Sequence, residues 1–108
     1  MQSDGRLREC FFGKLEGLTK QQAIGQYGPM ISQQWDDQYA SYDFRPFGGE
    51  CRSDVLRRHL DFANYFLKTN ASDVTLLVGH GRGLATLLSG LGYPPDLKRG
   101  EYKVIDFT

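Results

Sequence analysis

Apolar residues recur at helical spacing in two stretches of this chain and form a short run in a third. Between Ser53 and Lys68, the residues Val55, Leu56, Leu60, Phe62, Ala63, Phe66 and Leu67 form two adjoining ridges, which predicts a helix over 53–68. Leu84, Leu87, Leu88 and Leu91 repeat at i, i+3, i+4 and i+7, and Gly92-Tyr-Pro-Pro ends that pattern, so a second helix is expected over 84–91. The unbroken run Val74-Thr-Leu-Leu-Val78 reads as a buried strand, and Glu101 to Phe107 as a closing one. Helix, strand, helix, strand in that order implies an α/β protein.

The earlier half of the chain is patterned more locally. Residues 1–17 read as irregular or weakly extended, with glycines at 5, 13 and 17. Thr19 starts a short helix by a capping box with Gln22, Ala23, Ile24 and Tyr27 supply its apolar face, and Gly28-Pro29 stops it. A further helical piece fits Met30–Trp35, followed by a long loop over 36–49 rich in aromatics (Tyr39, Tyr42, Phe44, Phe47). At the start of the 53–68 helix, Cys51-Arg-Ser-Asp54 would be a capping box if residue 51 were serine. A thiol accepts poorly, so Ser53 is expected to cap instead. Asp54 and Arg58 have the order of a surface ion pair. His59 shares the face of Val55, Phe62 and Phe66, the pattern of a core or boundary histidine.

The 108 residues suffice for one domain with one core. Thirteen basic residues balance thirteen acidic ones, which excludes a general nucleic-acid or membrane-surface role, since both need a basic excess. No stretch approaches the ~20 apolar residues of a membrane span. Two cysteines, Cys10 and Cys51, make neither a metal cluster nor a disulfide framework, and point to a cytoplasmic protein with reduced thiols. No metal or other cofactor is implied.

Candidate chemistry gathers where the 74–78 run meets the next helix, at Gly79-His80-Gly81-Arg82-Gly83. A histidine before a glycine turn and a helix N-terminus makes an anion site, because unpaired N–H groups and the helix dipole favour negative charge there. Arg82 either adds a phosphate contact or points to solvent. The glycine spacing lacks the last position of a dinucleotide-binding fingerprint, and no Gly-x-Ser-x-Gly elbow is present.

Two segments read together carry a resemblance. Leu7-Arg8-Glu9, followed by Gly13 and Glu16-Gly17-Leu18-Thr19, resembles a signature of the histidine phosphatase superfamily, the phosphoglycerate-mutase-like proteins. Val78-Gly79-His80-Gly81 resembles that family's second histidine motif. Gly49-Glu50-Cys51 stands where the family commonly has Gly-Glu-Ser, and Arg58 follows Glu50 at the family's usual distance. The resemblance runs from about Leu7 to Phe107 and implies a partial three-layer α/β/α phosphoglycerate-mutase-like fold, with residues 1–108 as a single C-terminal portion of the domain.

The resemblance implies phosphomonoester phosphatase or mutase activity through a phosphohistidine, on a small phosphorylated metabolite. Glu9 matches the acid that protonates the departing oxygen. His80 matches the histidine that contacts the phosphoryl oxygens, with Gly81 and Arg82 beside it. The family's Arg-His-Gly motif, whose histidine is the nucleophile, does not occur in these residues; Arg58-His59-Leu60 lies inside a helix and has no glycine turn. Loss of a nucleophile can cost about 10⁶ in turnover, so the isolated chain is expected to be inactive. Glu50 reads as structural, and the 39–47 loop either covers substrate or belongs to the core. The 74–78 strand would lack its central neighbour, and the open edge invites a homodimer or the missing N-terminal segment. The alternative is a non-catalytic module that keeps an anion pocket at His80 for binding or oligomerisation.

Overall fold

The computed structural model describes residues 4–70 and 77–95. Among these, four α-helices follow one another: α1 (Lys20–Tyr27), α2 (Ile31–Asp36), α3 (Arg52–Asn70) and α4 (Gly81–Gly90). Single 3-10 turns stand at Gly5–Leu7, Gly13–Leu15 and Arg45–Phe47.

The expected capping box of α1 is formed. Thr19 Oγ1 accepts from the Gln22 N–H at 3.1 Å, and Gln22 Oε1 accepts from the Thr19 N–H at 2.9 Å. Such a cap contributes ~1 kcal/mol. Gly28 ends the helix at φ +102°, a conformation that suits glycine, with its N–H on the Ile24 carbonyl.

Helix α3 starts earlier than its apolar pattern alone indicates. Ser53 is not the cap: Cys51 precedes the helix, and the Asp54 carboxylate reaches back to accept from the Cys51 N–H at 3.1 Å and its thiol at 3.3 Å. The thiol acts as donor rather than acceptor, so the weak accepting power of sulfur does not matter here. Asp54 also pairs with Arg57 at 3.1 Å, which corrects the expected surface pair with Arg58. Arg58 turns inward and is buried.

The core collects Cys10, Leu15, Ala23, Ile31, Tyr42, Phe44 and Val55, with Phe12, Leu18, Ile24, Trp35 and Phe47 packed around it. The aromatic stretch over 39–47 is therefore largely core. Phe12 meets Phe44 edge to face, with ring centroids 4.9 Å apart. The chain around the Arg45–Phe47 turn doubles back on itself, through Phe44 N–H to Glu50 O at 3.0 Å and Arg52 N–H to Tyr42 O at 3.0 Å. Gly13 (φ +62°) and Gly49 allow the 11–13 and 47–49 segments to cross, since a β-carbon on either would collide with backbone of the other segment.

The α/β class and the partial three-layer α/β/α arrangement are corrected by this structure. The described residues are helices and turns, with one isolated antiparallel bridge, Asp43 to Cys51, and no strand. A strand exists only through a ladder to a neighbour, and a continuous apolar run does not supply that neighbour. Residues 77 and 78 join no ladder, and Val78 is 70% exposed. The rest of the 74–78 strand, and the 101–107 strand, lie outside the described residues.

Helix α4 packs against α3. It begins at Gly81, inside the glycine turn, where the Leu84 N–H reaches the His80 carbonyl at 2.8 Å. Gly83 and Gly90, two turns apart, share the face toward α3. A β-carbon on Gly90 would stand 2.5 Å from Leu56 Cδ1, and one on Gly83 2.6 Å from His59 Nε2. The two helices approach closely because both positions lack a side chain.

Candidate functional site

Glu9 stands in the wall of a cleft of about 440 Å³, lined also by Arg8, Cys10, Phe11, Phe12, Glu16 and Glu50. It follows the Gly5–Leu7 turn, where Asp4 caps by accepting from the Arg6 N–H at 2.9 Å. Glu9 Oε1 accepts from the neighbouring Cys10 N–H at 2.9 Å. Three carboxylates and one arginine line the cleft, so it is rich in acid and poor in the positive charge that holds a phosphate. Arg8 is that arginine, with its side chain 59% exposed.

The carboxylates differ in what they do. Glu50 is bidentate with Arg58: Arg58 Nε meets Oε2 at 2.9 Å and Nη2 meets Oε1 at 2.9 Å. Burial alone would push the Glu50 carboxyl up, but the Arg58 hydrogen bonds, the Phe11 N–H and the charges of Arg58 and Arg8 outweigh it and hold it below the usual range. Glu16 accepts from the Phe12 N–H at 2.9 Å and is exposed. Cys10, at the floor, is buried, and burial pushes its thiol up to about 12. It is a packing residue, not a nucleophile.

His80 is not among the residues that line this cleft. It is exposed, directly before α4, and its side chain makes no capping hydrogen bond. His80, Gly81 and Arg82 are not part of the cleft wall that holds Glu9. A β-carbon on Gly81 would meet nothing within 4 Å, so the first turn is open on that side.

Arg82 does not point to solvent. It is 6% exposed, and its guanidinium turns inward rather than to solvent. Its guanidinium donates to the Asp37 carbonyl and to the Trp35 carbonyl at 3.0 Å, and lies over the rings of Tyr42 (4.7 Å), Phe44 (5.3 Å) and Phe12 (5.4 Å). A desolvated cation over aromatic faces is worth up to about 2 kcal/mol, which explains its inward turn. Thr86, one turn on, is tied to the same layer by the Tyr42 hydroxyl at 2.8 Å. Arg82 thus fastens α4 to the aromatic core. The sequence signal for this was the shared helix face of Arg82, Ala85 and Thr86, all buried.

His59 is fully buried, as its pattern predicts. Its Nδ1 contacts the Val55 carbonyl at 2.8 Å, so that nitrogen carries the proton, while Nε2 has no partner among the described residues. Among those residues no three His, Cys, Asp or Glu side chains are grouped to hold a metal ion, and no helix is long and apolar enough to cross a membrane.

Comparison with known proteins defines the class. Residues 1–102 match the model of the histidine phosphatase superfamily (branch 1), and the chain belongs to that family. It is similar to the 2,3-bisphosphoglycerate-dependent phosphoglycerate mutase of Gloeothece citriformis (strain PCC 7424), 31% identical over 87 residues, covering 79% of this chain and 36% of that protein. It is also 33% identical over 84 residues to 2,3-bisphosphoglycerate-dependent phosphoglycerate mutase 1 of Gloeobacter violaceus (strain ATCC 29082 / PCC 7421), covering 76% of this chain and 35% of that one. The chain thus spans about a third of the length of the curated relatives it matches. No solved structure matches it.

Proposed function

We propose that this chain carries the acid and second-histidine part of a phosphomonoester phosphatase or mutase that works through a phosphohistidine. In this reading Glu9 protonates the departing oxygen and then helps activate water, while His80 and the Gly81 N–H contact the phosphoryl oxygens. The nucleophilic imidazole and the arginines that clamp the phosphate come from outside these residues, so the chain by itself turns over no phosphomonoester. The names of the relatives favour a small phosphorylated acid as substrate.

The observation that carries the reading is the contrast between the chain's two histidines. His59 is sealed under α4 with its proton held by Val55, while His80 is exposed at the start of a helix whose first turn is open. A nucleophile needs access to phosphorus, which His59 lacks. The acidic cleft around Glu9 fits the same division, with the acid present and the anion clamp absent.

The test is turnover of a generic aryl phosphate by the purified chain beside Glu9→Gln and His80→Ala. No turnover above the buffer blank is expected from any of the three. Turnover that both substitutions abolish would show that a nucleophile lies within these residues and would end the proposal.

A further inference from the structure

We propose that Arg58, acting together with Glu50, is a positioning residue for Glu9, an inference that rests on the reading of Glu9 as the general acid. A guanidinium has five N–H donors, and Arg58 makes five contacts. Two go to the Glu50 carboxylate. The other three go to main-chain carbonyls of the segment that bears Glu9: Nη1 to Arg6 at 2.9 Å and to Arg8 at 2.7 Å, and Nη2 to Glu9 itself at 3.1 Å.

Glu50 extends the hold past Glu9. Its Oε1 accepts from the Phe11 N–H at 2.9 Å, and its own N–H donates to the Phe11 carbonyl at 2.8 Å. The backbone is therefore pinned at residues 6, 8 and 9 from one partner and at residue 11 from the other. Only the side-chain torsions of Glu9 remain to be set, and the Cys10 N–H holds one carboxyl oxygen, Oε1. The pair is well shielded, with side-chain exposures of 10% for Arg58 and 15% for Glu50. An acid that must meet a leaving oxygen needs this precision, because a displacement of about 1 Å can cost roughly 10²-fold in rate. A lysine could not replace the fork: it has three donors and no fixed plane.

Amide hydrogen exchange on the chain, on Arg58→Lys and on Glu50→Gln tests the inference, with Arg57→Met as an exposed control on the same helix. In Arg58→Lys the Cys10 and Phe11 amides should exchange roughly tenfold or more faster, relative to Ala23 in α1. Glu50→Gln should loosen the same amides, and Arg57→Met should leave them as in the parent. A merely global loss of stability would not move this ratio, because it speeds the amides of both segments together. Equal acceleration at Ala23, or full protection at Cys10 and Phe11 in Arg58→Lys, would overturn the inference. Failure of the acid reading appears separately, as aryl-phosphate turnover that survives Glu9→Gln while the exchange pattern holds.

Discussion

His59 Nε2 points at the backbone of Gly83, so close that a β-carbon there would stand 2.6 Å away. The contact joins the middle of α3 to the first turn of α4, next to His80. The His59 ring cannot swing aside freely, because its other nitrogen is bound to the Val55 carbonyl. Gly83→Ala should therefore destabilise the chain. Overpacking costs about 1–3 kcal/mol, and the better helix propensity of alanine returns at most ~1 kcal/mol. Urea unfolding should show a lower midpoint for Gly83→Ala, and the further change His59→Ala should remove part of the loss by non-additivity. An unchanged midpoint would mean that the ring yields without cost.

The same histidine makes stability depend on pH. Burial pulls the His59 imidazole below its ordinary value of 6.5, with the Arg58 charge adding to that and the Val55 carbonyl opposing it. Below 6.5 the unfolded chain takes up a proton that the folded chain refuses. Stability from this group is thus complete above 6.5 and falls as pH is lowered toward the depressed folded value. Melting temperature between pH 8 and 5 should drop more for the parent than for His59→Ala.

Arg58→Met removes five hydrogen bonds and leaves the Glu50 carboxylate shielded, with only the Phe11 N–H and the looser Arg8 pair at 3.8 Å to hold it. Breaking such a pair costs about 3 kcal/mol or more. Chemical denaturation should record that loss. Because the Glu50 carboxyl is held below its ordinary 4.5, its contribution is present above that value and lost as pH falls below it. The parent and the variant should accordingly converge in stability on acidification.

The two thiols should separate by reactivity. Cys10 is 2% exposed with its thiol raised to about 12 by burial, whereas Cys51 is partly exposed. A maleimide at neutral pH should label one thiol per chain quickly, and Cys51→Ser should abolish that fast phase. The serine should also strengthen the start of α3 by ~0.5 kcal/mol, since a hydroxyl donates to the Asp54 carboxylate more strongly than a thiol does.

Local features were the legible ones. The Thr19–Gln22 box, the Gly28 stop and the existence of α1, α3 and α4 each depend on residues within a turn of one another, and their patterns were sufficient, although α3 and α4 begin one and three residues before those patterns. Cys51 was misjudged because the partner that matters, Asp54, acts by accepting rather than by being capped. The α/β expectation rested on apolar runs, and runs say nothing about which backbone lies alongside. His59 was placed correctly because burial follows helix periodicity.

The motifs around Glu9, Glu50 and His80 determined the family, and spacing alone determined which helix faces are apolar. Where Arg58 and Arg82 direct their guanidinium groups was decided only in three dimensions. Apart from the Glu50 carboxylate on Arg58, the partners of these long, flexible side chains are main-chain carbonyls 45 to 52 residues away. A carbonyl carries no residue identity, so no sequence pattern names it as a partner. Folding brings those oxygens together, and an arginine that must be buried turns to the place where they are.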